Sequence, residues 1–561
     1  MSQKPGPFNI GQSLNEALAL QRQGRLRDAE KLYARVLKAA PDNFDALNLL
    51  GTVKAQLGRL GEAHRLLSAA VKINPRAPQA WANLGKILHG LKREQEALGC
   101  LDKARALAPA DVGILNDHAN ALLGMGRPAE ALAEFREVLA RVPDHAEAYI
   151  NSGIAQAALG LPEEAVGEFE RALSIAPGHP AAQYNRGIAL FNLGRHAEAV
   201  DAHDGALAAV PQHAGAWLNR GQALAALNRH QEAVASYGKA AAIRNDHPDV
   251  HFNEALALLA LGEYRRGFEK YEWRWRRTGM AAQRSRGRLW LGDYPLARKT
   301  ILLHAEQGLG DTIQFARYAP LLAETGAKVV LEVQRELTTL MARLDGAASI
   351  VARGEAPPPF DVHCPLGSLP FAFKTEPATV PAQVPYLSAD DAHLAKWSAR
   401  IGALARPRIA LAWAGNATHV NDRNRSIAFS RLAPLFPPHA GDGRAGARFV
   451  SLQREVRTED AEILAGESRI MHVGTELDDF ADTAAVIALA DLVISVDTAA
   501  AHLAGAMGRP VWVLIPFAPD WRWTLDGETS PWYPTARLFR QTALGDWDSV
   551  IARVAAELGQ L

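Results

Sequence analysis

The chain is poor in cysteine: Cys100 and Cys364 are the only two among 561 residues. Two thiols so far apart make neither a disulfide framework nor a metal-ligand cluster, and they point to a reducing compartment. Excess charge of one sign is also missing, since 61 basic residues balance 61 acidic ones. A general binder of nucleic acid or anionic membrane needs Lys and Arg in surplus on one face, so the whole-chain balance argues against that class. Long apolar runs are absent too. The opening MSQKPGPFNIGQSLNE has no signal-peptide core, and the stretch from Ala484 to Ala490 is broken by Asp491 well short of a membrane span. The expectation is a cytoplasmic protein with no membrane span. There is no G-x-S-x-G nucleophile elbow, no G-x-x-x-x-G-K-S/T phosphate loop and no histidine pair with zinc spacing. Asp546-Trp547-Asp548 has the spacing of a metal-binding pair but opens the last helical stretch and reads as capping. No metal and no cofactor is assigned.

What the chain has is a period. Proline recurs at 41, 75, 109, 143, 177 and 211, an unbroken spacing of 34 residues. Glycines 24, 58, 126, 160, 194 and 262 keep the same beat, as do alanines 29, 63, 97, 131, 165, 199 and 233. Within each unit two stretches of helical apolar spacing flank a glycine turn, and proline cannot continue a helix interior. Each unit is therefore a helical hairpin. A 34-residue unit with these Gly, Ala and Pro columns resembles the tetratricopeptide repeat, over 10–280 in about eight units.

The pattern fades after Ala260 to Arg266. Tyr271 to Arg288 follows, with Trp273, Trp275 and arginines 274, 276, 277, 284, 286 and 288. It reads as a capping helix and a linker (281–298) whose aromatics dock on the next domain, with a nucleic-acid patch as the alternative. From Lys299 short apolar runs alternate with helical stretches: ILLH, a helix over Asp311 to Thr325, KVVLEV, and an extended piece around Phe360 to Cys364. The alternation restarts with IALAWAG at Ile409 and continues through Phe449 to Gln453, a helix near Ala481 to Ala490, DLVISV, a helix from Thr498, and VWVLIP. Two Rossmann-like lobes are predicted, 299–388 and 407–561, joined by a proline-rich stretch and a linker helix over 389–406. Ligands of such sheets bind beyond the carboxyl ends of the strands.

Three turns at strand ends carry the candidate chemistry. In His304-Ala305-Glu306-Gln307-Gly308-Leu309-Gly310-Asp311, the glycines allow a tight turn and close approach of a ligand, while Asp311 opens the next helix. Asp311 is either a catalytic carboxylate or a simple helix cap. In Ser495-Val496-Asp497-Thr498-Ala499-Ala500-Ala501-His502, a buried strand meets a helix of small residues, whose unpaired amides and positive dipole end suit a pyrophosphate. Asp497 can hold sugar hydroxyls, and His502 is either a ligand contact or an interior histidine. The third turn runs from Asn416 through Arg423 and Arg425, whose guanidinium forks match phosphate oxygens unless the loop is merely solvated. Gln453 is a weaker candidate for a nucleotide contact. His363-Cys364 reads as a strand end.

EQGLGD at 306–311, the Asp-Thr turn with HLAGAMGRP at 502–510, and DWRW followed by SPWYP and RLFRQ together resemble the catalytic half of bacterial tetratricopeptide proteins related to the heptosyltransferase family, over Lys299 to Gln541. The resemblance implies a GT-B fold with the acceptor mainly on the first lobe and a nucleotide-diphosphate sugar on the second. It implies Asp311 as general base, Asp497 and Thr498 as contacts to sugar and diphosphate, and Arg425 or Arg423 as the phosphate-binding basic residue; Gln307, Gly308, Gly310, Asn416, Gln453 and His502, read from the turns themselves, complete the expected donor side. The layout is also similar to the O-GlcNAc transferases and to repeat-fused flagellin glycosyltransferases, which modify proteins. One repeat column supports this. Asn15, Asn83, Asn151, Asn185, Asn219 and Asn253 share a position that Leu49 and Asp117 interrupt. In the O-GlcNAc transferases an asparagine ladder there binds peptide backbone, a carboxamide being both donor and acceptor; asparagines that merely stabilise hairpin contacts are the alternative. The expected fold is an all-α tetratricopeptide superhelix followed by an α/β GT-B pair of lobes. The expected function is transfer of a sugar from a nucleotide-diphosphate donor to a protein or peptide acceptor, flagellin-like among the possibilities, with Asn83, Asn151, Asn185, Asn219 and Asn253 as acceptor contacts. A non-catalytic scaffold that binds a partner or nucleotide is the alternative.

Overall fold

The computed structural model describes residues 9–277, 287–404, 406–419, 421–436 and 449–560. The end of the predicted repeat region at 280, the linker over 281–286, and Arg284 and Arg286 lie outside them. The chain divides into two compact units, Met1–Asn219 and Arg220–Leu561.

The repeat region is built of paired helices: α1 Ile10–Arg22 with α2 Leu26–Ala39, α3 Phe44–Gln56 with α4 Leu60–Ile73, α5 Pro78–Gly90 with α6 Glu94–Leu107, and α7 Val112–Gly124 with α8 Pro128–Arg141. Then come α9 Ala146–Ala158 with α10 Pro162–Ile175, α11 Pro180–Asn192 with α12 His196–Ala209, α13 Ala214–Ala226 with α14 His230–Ile243, and α15 Pro248–Ala260 with α16 Tyr264–Tyr271. The sequence columns have direct physical causes. Each phased proline sits two residues past the end of a second helix, where no helix has to continue. The column glycines adopt left-handed φ, Gly24 at +74° for example, and where the column lacks glycine, Lys92 and Asn228 adopt φ near +60° instead. The small residue of the first helix makes room for the second: a Cβ at Gly153 would lie 2.7 Å from the Phe169 ring.

Beyond α16 and the 3-10 turn Glu272–Arg276, the first lobe is a four-stranded parallel sheet ordered β3-β2-β1-β4, with β1 Thr300–His304, β2 Lys328–Val333, β3 Ala347–Ala352 and β4 Val362–Pro365. Helices α17 Leu309–Ala316, α18 Tyr318–Glu324, α19 Thr338–Met341 and α20 Leu369–Ala372 accompany it, and α21 Asp391–Ile401 leads to the second lobe. There a six-stranded parallel sheet has the order β10-β9-β8-β5-β6-β7, with β5 Ile409–Ala412, β6 Phe449–Ser451, β7 Ile470–His472, β8 Leu492–Val496, β9 Val511–Ile515 and β10 Ala536–Arg540. Its helices are α22 Asp422–Arg425, α23 Thr458–Gly466, α24 Phe480–Leu489, α25 Ala499–Ala506 and α26 Trp547–Leu558. Asp546 caps α26 by accepting from the Ser549 amide at 3.2 Å. Each lobe is Rossmann-like, and the whole is an all-α tetratricopeptide superhelix followed by a GT-B-like α/β region. Strands β3, β7 and β10 were not apparent in the sequence.

The arginine-rich junction is spent on packing. Arg274 and Trp275 are buried, Arg276 stacks on Trp273 at 4.0 Å, and Arg277 pairs with Asp249 at 2.7 Å. Trp273 in turn lies 3.9 Å from His251 of α15, ring centre to ring centre.

Candidate functional site

In each sheet the strand order reverses once: between β1 and β4 in the first lobe, and between β5 and β8 in the second. Such reversal points open a crevice at the carboxyl ends of the strands. The three candidate turns leave β1, β5 and β8.

The turn after β1 differs in detail from the sequence expectation. Asp311 does not open α17; Gly308 occupies the cap position and Asp311 the third helical residue, where its Oδ2 accepts from the Gly308 amide at 2.9 Å. Its other oxygen accepts from Arg522 Nη2 of the second lobe. Gly308 has an extended backbone that any residue adopts, so turn conformation does not call for glycine there. The glycines make room instead: a Cβ at Gly308 would lie 3.2 Å from Asp311 Oδ2, and one at Gly310 2.8 Å from His502 Cδ2. Gln307 gives its Nε2 to the Tyr271 hydroxyl at 2.6 Å.

In the second lobe, Asp497 follows β8 and Thr498 caps α25 by position, but its hydroxyl bonds Ser495 Oγ at 2.9 Å rather than a helix amide. The first amides of α25 therefore lack an intrahelical acceptor. Arg425 reaches from the turn after β5 to the turn after β8, donating to the Asp497 carbonyl at 3.1 Å. Arg423 and Asn416 are exposed on the same loop, where Asn416 Oδ1 accepts from the Thr418 amide at 2.9 Å. Gln453 does not fit the role of a nucleotide contact. Its Oε1 accepts from the Trp413 and Ala414 amides at 3.2 and 3.0 Å, and its Nε2 donates to the Ala414 and Glu455 carbonyls, both at 3.0 Å. The side chain is saturated by backbone and fixes the loop. His502 is buried, shares a 2.9 Å hydrogen bond with Tyr533, and is held well below its ordinary pKa by burial and then by Arg522; it is a neutral interior ring. Burial, and then Asp520, push Asp497 up to about 6, against the pull of Arg425 and Arg522.

The side chains that the sequence reading missed lie between the lobes. Arg522 donates from Nε to Gln314 Oε1 at 2.5 Å, from Nη1 to Asp520 at 2.9 Å and from Nη2 to Asp311, and its plane lies 4.4 Å from the Trp521 ring. His419 feels the same charges: burial and Arg425 lower its pKa, while Asp520, Asp422 and Asp311 raise it. The density of Trp and Arg in DWRW was the available signal. Gly310, in the first turn of α17, packs against His502 and Ala499, in the first turn of α25. The two positive helix ends thus converge, with Arg425 and Arg522 alongside and Asp311 at the rim. Such a constellation can hold a doubly charged anion next to a carboxylate.

The asparagine column is half-buried at Asn83, Asn151, Asn185, Asn219 and Asn253. Asn83 Nδ2 donates to Asn48 at 3.1 Å, Asn151 Nδ2 to Asn120 at 2.8 Å, and Asn185 Nδ2 to the Ala181 carbonyl at 2.9 Å. The first two bonds link first helices of consecutive units, which serves the structural alternative, yet each carboxamide keeps further capacity. Asn151 and Asn120 also line a pocket of about 390 Å³ with His89, Leu123 and Gly124. Among the described residues, His393, Asp479 and Asp482 lie close enough to share a cation, but Lys396 and the Trp397 indole already donate to Asp482.

A repeat array followed by a two-lobed parallel α/β region defines the class. Tetratricopeptide repeat profiles match residues 20–87, 116–180, 154–214 and 184–248, and the profile of glycosyltransferase family 9 (heptosyltransferase) matches residues 449–541. The chain carries tetratricopeptide repeats fused to a glycosyltransferase family 9 (heptosyltransferase) domain. That match falls on the second lobe, so Asp311 lies outside it. Protein FlbA of Caulobacter vibrioides is 28% identical over 317 residues, covering 52% of this chain and 52% of FlbA; the chain spans about half the length of this curated relative. Among solved structures, a tetratricopeptide repeat protein from Parabacteroides merdae is 17% identical over 44% of this chain and 98% of its own, with a TM-score of 0.38. MamA is 25% identical over 30% of this chain and 91% of its own, with a TM-score of 0.27. No helix among the described residues is long and apolar enough to cross a membrane.

Proposed function

We propose that the chain transfers a sugar from a nucleotide-diphosphate donor to a protein acceptor that its repeats recruit. The observation that carries this reading is the convergence of the α17 and α25 N-termini with Arg425 and Arg522 beside Asp311. In this division of labour the repeats (10–280) capture the acceptor, the first lobe (299–388) presents its hydroxyl, and the second (407–561) holds the donor. The acceptor hydroxyl attacks the anomeric carbon as Asp311 takes its proton, and the carbon–oxygen bond to the diphosphate breaks. Arg425 and the amides of Ala499 and Ala500 stabilise the departing charge. Asp497 holds hydroxyls of the transferred sugar. The asparagine column, Asn83 to Asn253, grips the acceptor backbone.

A second reading is a scaffold that binds nucleotide without chemistry. It is favoured by the engagement of both Asp311 oxygens, one by the Gly308 amide and one by Arg522. The two readings separate on one assay: release of nucleoside diphosphate from a panel of nucleotide sugars by the pure chain and by Asp311→Asn. Turnover of one donor that the substitution abolishes supports the transferase; tight donor binding with no turnover supports the scaffold.

A further inference from the structure

The turn from Glu306 to Asp311 is held from outside its own lobe at three residues, and two of the grips come from the end of the repeat array. Arg274, in the 3-10 turn after α16, donates to Glu306 Oε1 at 3.0 Å and to Ser368 Oγ at 2.7 Å, while Glu272 accepts from it at 2.6 Å. Burial opposes the Arg274 charge, but the two glutamates more than offset this and hold the guanidinium protonated. Tyr271, the last residue of α16, accepts from Gln307 at 2.6 Å. At the far end of the turn Arg522 holds Asp311, and the ring behind it, Trp521, packs edge-on against Tyr264 and Phe268 of α16 at 6.0 and 5.5 Å between ring centres. Trp532 of the same lobe donates its indole N–H to the Tyr264 hydroxyl at 3.2 Å. One short helix thus touches both supports of the carboxylate. Tyr271, Arg274, Glu306, Ser368 and Arg522 are buried.

We propose that the last repeat is a working part of the transferase centre, with Tyr271 and Arg274 as positioning residues that set the turn from Glu306 to Asp311 and so the orientation of the Asp311 carboxylate. The inference rests on the transferase reading above for its effect on turnover, but not for the contact network itself. A tilt of the turn would move Asp311 relative to an acceptor hydroxyl while leaving Arg425 and the start of α25, in the other lobe, in place. Loss of positioning should therefore appear in kcat and not in donor binding.

The test uses the full chain carrying Tyr271→Phe, which removes one hydroxyl and keeps the ring packed. We expect amide exchange across 306–312 to quicken about fivefold with 498–506 unchanged, kcat to fall about tenfold, and donor KM and nucleoside-diphosphate Kd to stay within about twofold. If no nucleotide sugar is turned over by the unaltered chain, the transferase reading fails, and the exchange measurement alone then decides the positioning. Unchanged exchange across 306–312 overturns the proposal. So does unchanged kcat in an active chain, or a loss of donor binding that accompanies a fall in Tm, which would mark Tyr271 as a general stabiliser. Arg274→Lys, which keeps the charge and loses the two-pronged geometry, should shift the same two readouts in the same direction.

Discussion

Met1–Asn219 and Arg220–Leu561 are held together differently. In the first unit the buried residues fall into small clusters shared by neighbouring helices, such as Leu67, Leu84 and Ile87, or Leu115, Phe135 and Ala148. In the second, one large core runs from Ala255 of α15 through both sheets to Leu538 of β10, beside a second in the second lobe around Leu411, Ile494 and Val550. The first is a stack in which each unit needs only its neighbours; the second is one cooperative body that has absorbed the last repeat. Sequence periodicity and structural unity therefore part company: the repeat pattern runs through α16, while the core that α16 belongs to is that of the α/β region.

The sharpest way to break this comparison is to cut the chain in two places. A fragment starting at Gly287 loses Tyr264, Phe268, Tyr271 and Arg274, leaving Glu306 buried without its cation, which costs about 3–5 kcal/mol before the lost aromatic packing is counted. It should fail to give a cooperative melt. A fragment starting at Pro211 keeps α15 and α16 and should melt cooperatively, as circular dichroism on both would establish. Equal melts for the two fragments would show that the last repeat is only a neighbour.

The next largest effect is expected at the carboxylate. Asp311→Asn should lower turnover about 10²-fold or more while nucleoside-diphosphate affinity by calorimetry stays unchanged. Arg425→Ala should do the reverse, weakening nucleoside-diphosphate binding by about 2 kcal/mol, or roughly thirtyfold. If both substitutions affect only binding, the division between a donor pocket and a catalytic turn is lost.

A pH series sharpens the same division. Burial and then Asp520 push Asp497 above its ordinary 3.8, up to about 6. The raised value means that its stability contribution is full below the unfolded pKa and is lost as pH rises through about 6. Its carboxylate also becomes a negative neighbour for a diphosphate over the same range. Binding measured from pH 5 to 7 should therefore decline relative to Asp497→Asn as pH rises, and the variant comparison removes the titration of the ligand itself. Parallel curves would place the diphosphate away from Asp497.

The smallest effect belongs to the first unit. Lys92 holds φ at 61° in a turn where most units have glycine. Lys92→Gly should raise the stability of that unit by about 1 kcal/mol, read as a higher urea midpoint with unchanged turnover. A change in turnover would mean that the stack is coupled to the chemistry more tightly than its local cores imply.

The same contrast explains what the sequence reading could reach. The repeats were legible because proline 41 or glycine 58 acts on its own turn, within a few residues. The buried strands β1, β2, β5, β8 and β9 were legible as short apolar runs, whereas β3 is rich in small half-buried residues, β7 is three residues long, and β10, an edge strand, carries two arginines among its five residues. At the site, the turns after β1, β5 and β8 could be located, since strand-end position is a local property. The partners could not: Arg522 lies 211 residues from Asp311, and Tyr271 lies 36 from Gln307. Gln453 misled for the same reason, because the backbone groups that saturate its amide belong largely to the loop after β5, about 40 residues earlier.

The most direct measurement of the central claim is nucleoside-diphosphate release from a panel of nucleotide sugars, with the full chain, Asp311→Asn and Tyr271→Phe run side by side. The expected result is turnover of one donor by the full chain, loss of about 10²-fold or more in Asp311→Asn and about tenfold in Tyr271→Phe, with donor affinity preserved in both. Turnover in Asp311→Asn equal to that of the full chain would contradict it, as would a folded chain that binds no nucleotide sugar at all.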